Sequence, residues 1–473
     1  MLFVLFFSLA GRLKGNTLSS IIEVAGLFKK VRGWFVSSPP RALTIGFIVI
    51  ILIGTVLLKL PVSLREGQSI DWVDALFTSA SATCVTGLVV LDTGTFFSTF
   101  GHWVILALVQ IGGLGFMTMG TLFAIFLRRK VSLKERLILQ ESLNQNNLEG
   151  IIKLVLRVIY YALTIELAGS ILFTLRFMLD MSPGKAIYFG IFHGVSIFNN
   201  AGFDLFGDYR SMANYISDPF VNLLSIVLII LGGLGFVVLA DLVEYRRNRR
   251  LSLHSKVAIY TTLLLFIGGA VVILLFEYTN QKTFGPLNMA DKIMASLLHS
   301  MTPRSAGIST IDVASLRQAT QFLLVILMFI GVSPGSTGGG IKTTTFAVLI
   351  VAVLAVFRGR KDVVLLRHRI EPDRVYKAIT VTLFSFIIVV VGTMLLSVTE
   401  SHSFMVVLFE ATSAFATVGL SAGLTPELTD IGKFIVIVLM FMGRLGPFTL
   451  FYAVGPRKGK TLYRHAEGKI IIG

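Results

Sequence analysis

Apolar residues gather into eight long stretches, at 43–60, 104–127, 154–179, 221–243, 257–276, 322–357, 375–398 and 434–454. About 20 apolar residues in a row cross the hydrocarbon core as a helix, so the pattern predicts eight membrane-spanning helices. Within each successive pair lies a shorter segment, such as 72–90, that begins polar and ends in glycine and small residues. Such a segment is a poor full span. It fits a re-entrant element, because irregular backbone at membrane depth is tolerated where it lines a polar cavity. Residues 1–10 are apolar without a basic leader, which fits an N-terminal extension better than a signal peptide.

Of the 473 residues, 54% are hydrophobic and 14% charged. A soluble domain carries about 25% charged residues, so a water-soluble globule is excluded. The single cysteine, Cys84, rules out an intramolecular disulfide. The net charge of +16 raises nucleic acid as a partner, but its placement argues otherwise. Twenty-eight of the 42 Lys and Arg residues fall before the first stretch and at 128–136, 245–256, 358–377 and 457–469. All of these lie on one side if eight spans alternate. Positive charge marks the cytoplasmic side, so both termini are expected in the cytoplasm of a multi-pass plasma-membrane protein with no nucleic-acid partner.

The chain repeats itself four times. SATCVTGLVV at 81–90, SIFNNAGFDL at 196–205, MTPRSAGIST at 301–310 and SAFATVGLSA at 413–422 each carry glycine seventh: Gly87, Gly202, Gly307 and Gly419. Ten residues before each stands Phe77, Phe192, Leu297 or Phe409. A second series, IGGLGF, LGGLGF, IGVSPG and MGRLGP, shares Gly112, Gly232, Gly331 and Gly443. Each unit is therefore span, re-entrant helix, span. Two crossings return the chain to its starting side, so all four units point the same way and fit around one axis along the membrane normal.

Glycine permits positive φ and lets backbone approach an axis, and a ring of carbonyls replaces the hydration shell of a monovalent cation. The candidate filter residues are Val85, Thr86 and Gly87, then Asn200, Ala201 and Gly202, then Ser305, Ala306 and Gly307, and finally Thr417, Val418 and Gly419. The re-entrant helices would aim their C-terminal, negative dipole ends at the axis, favouring a cation. Gly112 and Gly232 fit helix packing equally well.

The segments TCVTGL, FNNAGF, TPRSAGIS and ATVGLSAGLTPELT are similar to the four filter segments of the membrane subunit of Ktr-type potassium uptake systems, in the Trk/Ktr/HKT superfamily. The resemblance runs from about residue 39 to the C-terminus. It implies potassium as the substrate, since glycine in all four filters goes with potassium and serine in the first with sodium. It also implies a homodimer set in membrane lipid, a separate cytosolic nucleotide-binding regulatory ring, and no cofactor in this chain, with sodium a candidate activator. Cys84 departs from the usual Thr without removing a backbone ligand.

The sixth stretch contains GVSPGSTGGGIKTTTF at 331–346. Gly and Pro cost roughly 1 and 3 kcal/mol in a helix interior, so this span is expected to break, alone among the eight. The resemblance makes the break a movable intramembrane loop that obstructs the pore, with Gly335, Ser336, Thr337, Gly338, Gly339, Gly340 and Lys342 as gate residues. Arg444 stands where Gly113, Gly233 and Val332 stand in the other units. An intramembrane Arg faces a cavity or a partner, so it is expected beneath the filter, as a barrier to cations or as a cap on loop carbonyls.

GSTGGGIKT at 335–343 fails as a phosphate loop because Ile341 separates Gly340 from Lys342. GGLGF lacks the strand and third glycine of a dinucleotide site. His193, His299 and Glu410 fit capping and packing, and Arg304 a supporting role. The expected fold is an all-α polytopic membrane protein of eight spans and four re-entrant helices around a pseudo-fourfold pore. The units are 39–136, 137–256, 257–373 and 374–455, flanked by cytoplasmic segments 1–38 and 456–473. The expected function is potassium uptake. The alternatives are a sodium-permeable or proton-coupled transporter and, of another class, a polytopic membrane enzyme.

Overall fold

The computed structural model describes residues 39–115, 118, 121, 133–142, 150–446 and 449. The flanking segments 1–38 and 456–473, most of the cationic stretch 128–136, and most of the expected spans beyond 115 and beyond 446 lie outside these residues. Four long helices set the frame: α1 (Pro39–Lys59), α5 (Ile151–Phe177), α9 (Leu253–Glu277) and α13 (Pro372–Thr399). At 1.5 Å per residue they reach about 31 to 42 Å, enough for a bilayer core of about 30 Å. Among the described residues, four helices are long and apolar enough to cross a membrane, or five if one bent pair counts as a single span. Their outward faces are uncovered and apolar, as at Leu264, Leu275 and Val398.

After each long helix comes a shorter, mostly buried one: α2 (Trp72–Cys84), α6 (Pro183–Phe198), α10 (Met289–Met301) and α14 (Phe404–Ala416). After each of these comes another apolar helix: α3 (Thr99–Leu114), α7 (Pro219–Gly233), α11 (Gln318–Ile330) and α15 (Asp430–Leu445), with α4 (Leu133–Ser142) between α3 and α5. The starts are locally encoded. Ser98, Asp218 and Thr429 accept backbone N–H bonds from the first turns of α3, α7 and α15, the role that short polar residues play at N-caps. Proline occupies the first turn of α6 and α7, where its missing N–H costs nothing.

In the second unit small residues bring the short helix α6 onto its long neighbour α5. A methyl added at Gly194 would overlap Ser170, and one at Gly190 would overlap Thr174. This is small-residue packing at four-residue spacing, as membrane helices use it. Carboxylates clasp the far ends: Glu277 accepts from the Arg317 backbone N–H at 2.9 Å, and Glu400 from the Thr429 hydroxyl at 2.6 Å.

The break expected in the third unit alone is more general. Helix α7 ends at Gly233 and α8 (Phe236–Asn248) leaves it at 101°. Helices α3 and α15 also stop at a glycine of positive φ, Gly115 at 83° and Gly446 at 79°, as α7 does near Gly235 at 90°. The third unit has the longest interruption, between α11 and α12 (Thr343–Phe357). A two-residue hairpin, β1 (Val364–Leu365) and β2 (His368–Arg369), joins α12 to α13 and is the one strand pair among the described residues.

Candidate functional site

Each short helix ends in the same unusual turn. Val85, Asn200, Ser305 and Thr417 have φ of 59°, 58°, 74° and 51°, and two residues on Gly87, Gly202, Gly307 and Gly419 have 83°, 72°, 68° and 93°. Positive φ suits glycine and, less well, Asn, but costs β-branched Val85 and Thr417 about 1 to 2 kcal/mol. The residue between has ordinary negative φ.

The four turns meet in a closed cycle. A methyl at Gly87 would overlap the Ala201 carbonyl oxygen. One at Gly202 would stand 3.1 Å from that of Ala306, and one at Gly307 would stand 2.5 Å from that of Val418. One at Gly419 would overlap the Thr86 oxygen, which closes the ring. The Gly307 methyl would also lie 3.1 Å from the Gly419 Cα and 3.2 Å from the Gly202 Cα, between both neighbours. A side chain there fills the inside of the ring. The structure thus brings all twelve sequence-predicted filter residues together: the eight that are not glycine are fully buried, Gly87, Gly202 and Gly307 are buried, and Gly419 is half-buried.

A hydroxyl series missed in the sequence holds the turns. Ser81 donates to the Leu88 carbonyl at 2.7 Å, Ser196 to Phe203 at 2.7 Å and Thr302 to Ile308 at 2.8 Å, in each case the residue after the glycine. The signal was visible, since serine opens three of the four aligned segments. Thr302 sits one place nearer its glycine than Ser81 or Ser196, so the third turn is one residue shorter. Leu298, not Leu297, is accordingly the fully buried equivalent of Phe77, Phe192 and Phe409. The second glycine series is a packing series: methyls at Gly112, Gly232 and Gly443 would overlap the carbonyls of Thr83, Phe198 and Phe415. These are the last helical carbonyls behind the ring.

The loop between α11 and α12 lies directly against the second, third and fourth turns. Asn200 Nδ2 donates to Thr337 Oγ1 at 3.0 Å, and Gly339 N donates to Ser305 Oγ at 3.2 Å. A methyl at Gly339 would meet Thr417 Oγ1 at 2.5 Å. Lys342 Nζ caps the loop's own carbonyls, Gly338 at 2.7 Å and Gly339 at 3.4 Å. Ser336 Oγ donates to Ser333 O at 2.6 Å, and Gly335 and Gly340 take φ of 69° and 71°. Arg444, from α15, donates to Thr337 O and Gly112 O and reaches Gly113 O at 3.2 Å. Its guanidinium joins three units beneath the ring, and the bonds are those of a cap on carbonyls.

Arg304, wholly buried, supports the third turn by donating to Gly331 O at 3.2 Å and to Thr262. The remaining candidates stay apart. His193 bonds the Phe189 carbonyl, His299 bonds Ala295 O and Ser309 Oγ, and Glu410 accepts from Ser421 and Thr425. Cys84 is buried at the end of α2. Beyond the second turn, burial pushes the Asp204 carboxyl up to about 7, against the pull of the Phe206 N–H, with the Asp92 charge adding to the rise.

A family profile described as TrkH, cation transport protein, matches residues 22–455. The chain is similar to the Ktr system potassium uptake protein B of Bacillus subtilis, at 43% identity over 94% of this chain and 99% of that one. It is also similar to the potassium/sodium uptake protein NtpJ of Enterococcus hirae, at 38% identity over 92% of this chain and 97% of the other. The potassium transporter TrkH from Vibrio parahaemolyticus has a similar fold, with a TM-score of 0.67 at 21% identity, covering 87% of this chain and 85% of that one.

Proposed function

This chain belongs to the TrkH family of cation transport proteins, and we propose that it takes up potassium through the ring of its four glycine turns. It is a transporter and not an enzyme. The observation that carries the proposal is the cyclic contact of Gly87, Gly202, Gly307 and Gly419, each against the next turn's carbonyl.

Read as four parallel repeats about a pseudo-fourfold pore, α2, α6, α10 and α14 are pore helices whose C-terminal ends face the axis. The Thr86, Ala201, Ala306 and Val418 carbonyls then replace water around one cation. One such ladder is short, which sets a modest limit on discrimination against sodium. Entry is from the side bearing Asp92 and Asp204, and the cationic segments lie in the cytoplasm with both termini. Loop 335–340 blocks the exit, pinned by Lys342 and by Arg444, whose charge also opposes a cation below the ring. The chain works as a homodimer in the plasma membrane. Its basic segments 128–136, 245–256 and 358–377 offer docking surfaces to a cytosolic nucleotide-binding ring, as expected of a protein whose relatives are named as parts of a Ktr system.

Potassium-loaded proteoliposomes test the reading. The purified chain should carry an electrogenic potassium flux, and Gly202→Val should abolish it. A Gly202→Val protein that is folded and conducts like the parent overturns the proposal.

A further inference from the structure

Glu166 lies within α5, 4% exposed, in the middle of an apolar helix. Among the described residues no basic side chain pairs with it. A carboxyl group in the membrane interior is costly and persists where it has a task. Its partners are two amides. Gln110 Nε2, from α3, reaches both carboxylate oxygens, at 2.9 and 3.0 Å. Asn199 Nδ2 reaches Oε1 at 2.9 Å and also Gln110 Oε1 at 3.0 Å.

Asn199 is the residue immediately before the left-handed Asn200, so the network ends on the second glycine turn. Its other end, Oδ1, is buried and has no hydrogen-bond partner among the described residues. It faces Gly113, where an added methyl would overlap it, and the Gly113 carbonyl is one that Arg444 bonds. A carboxylate only accepts hydrogen bonds, so it orients both amides at once and thereby fixes which face Asn199 turns to Gly113. The other three turns are preceded by Cys84, Arg304 and Ala416. Arg304 has its own anchors, so the second turn is the one held by a carboxyl group.

We infer that Glu166 is a positioning residue for the second glycine turn, and that discrimination between potassium and sodium depends on its hydrogen bonds to Gln110 and Asn199. The inference rests on reading the ring as the ion filter. Carbonyl selectivity depends on how firmly the ligands hold their places. A turn released on one side of a four-membered ring accommodates the smaller ion.

The test measures potassium and sodium flux in proteoliposomes of the full chain for Glu166→Ala, Glu166→Gln, Asn199→Ala and the double variant Glu166→Ala/Asn199→Ala. Glu166→Ala and Asn199→Ala should each lower the potassium-to-sodium ratio about tenfold, and the double variant should be no worse than either, as groups in one network behave. Glu166→Gln, which can still accept from one amide, should keep most of the ratio. An unchanged ratio in Glu166→Ala, additive losses in the double variant, or equal loss in Glu166→Gln and Glu166→Ala overturns the inference. If Glu166→Ala does not assemble, Gln110→Ala beside Asn199→Ala supplies the same comparison. Gly202→Val run in parallel separates the two failures, because full flux in that variant overturns the filter reading itself.

Discussion

The four glycine turns and the four helix breaks beneath them come from the same repeat, yet the first set stayed alike and the second did not. Every turn has positive φ at the same two positions and a glycine against its neighbour's carbonyl. Below, three second helices stop at Gly115, Gly235 and Gly446, whereas the third has a loop from Gly331 to Lys342, and Gly113, Gly233, Val332 and Arg444 occupy equivalent places. If the ring is an ion filter, the elements that share its one ligand must match. If the loop obstructs the path, one member is enough to do so and the rest are free to support it: Gly235 packs on Pro334, and Arg444 bonds Thr337.

The largest expected effect comes from a matched pair in the first unit. Gly87 and Gly115 both have φ of 83°, but a methyl at Gly87 overlaps the Ala201 oxygen, while one at Gly115 meets, among the described residues, only Thr118 Oγ1 at 3.9 Å. Alanine strains either backbone by roughly 1 to 2 kcal/mol. Gly87→Ala should abolish potassium flux, and Gly115→Ala should retain it with slightly lower thermal stability. Equal losses of flux would mean that backbone strain matters and ring geometry does not, and the contrast between turns and breaks would fall.

The fourth unit's departure predicts the opposite sign. Arg444→Gln removes charge-assisted bonds worth about 1.5 to 3 kcal/mol each from a loop that lies against three of the turns. If the loop obstructs conduction, weakening it by that much shifts its population about tenfold or more toward the open state. Flux through the chain alone should therefore rise, where every substitution in the ring lowers it. Unchanged or reduced flux in a folded Arg444→Gln protein would remove the blocking role.

How much of this was legible in the sequence follows the same division. The ring was readable because conformational need leaves glycine at a fixed place, and four recurrences made that place visible at Gly87, Gly202, Gly307 and Gly419. The breaks at Gly115 and Gly235 were not read, because apolar residues continue on both sides and hydropathy does not register a bend. The break after Gly331 was legible, since Pro334 and the run Gly338 to Gly340 cannot be an ordinary helix. In the sequence Glu166 stands only as an ionisable residue inside an apolar stretch. Its partners Gln110 and Asn199 lie 56 and 33 positions away, and no local spacing connects them.

The smallest effect tests whether the four turns are as alike in energy as in shape. Ser81 and Ser196 each donate to the carbonyl after the glycine, while the hydroxyl of Ser413, at the same place in the fourth segment, is buried with no partner among the described residues. A typical hydrogen bond contributes about 1 kcal/mol, and a carbonyl left buried without its donor loses that much or more. Ser81→Ala and Ser196→Ala should thus each lower stability by about 1 kcal/mol, read as a drop in melting temperature in detergent, and Ser413→Ala should leave it unchanged or raise it, because a buried orphan hydroxyl is itself a cost. Equal losses at all three positions would show that Ser413 does brace its turn, and the ring would be more nearly symmetric than its hydrogen bonds indicate.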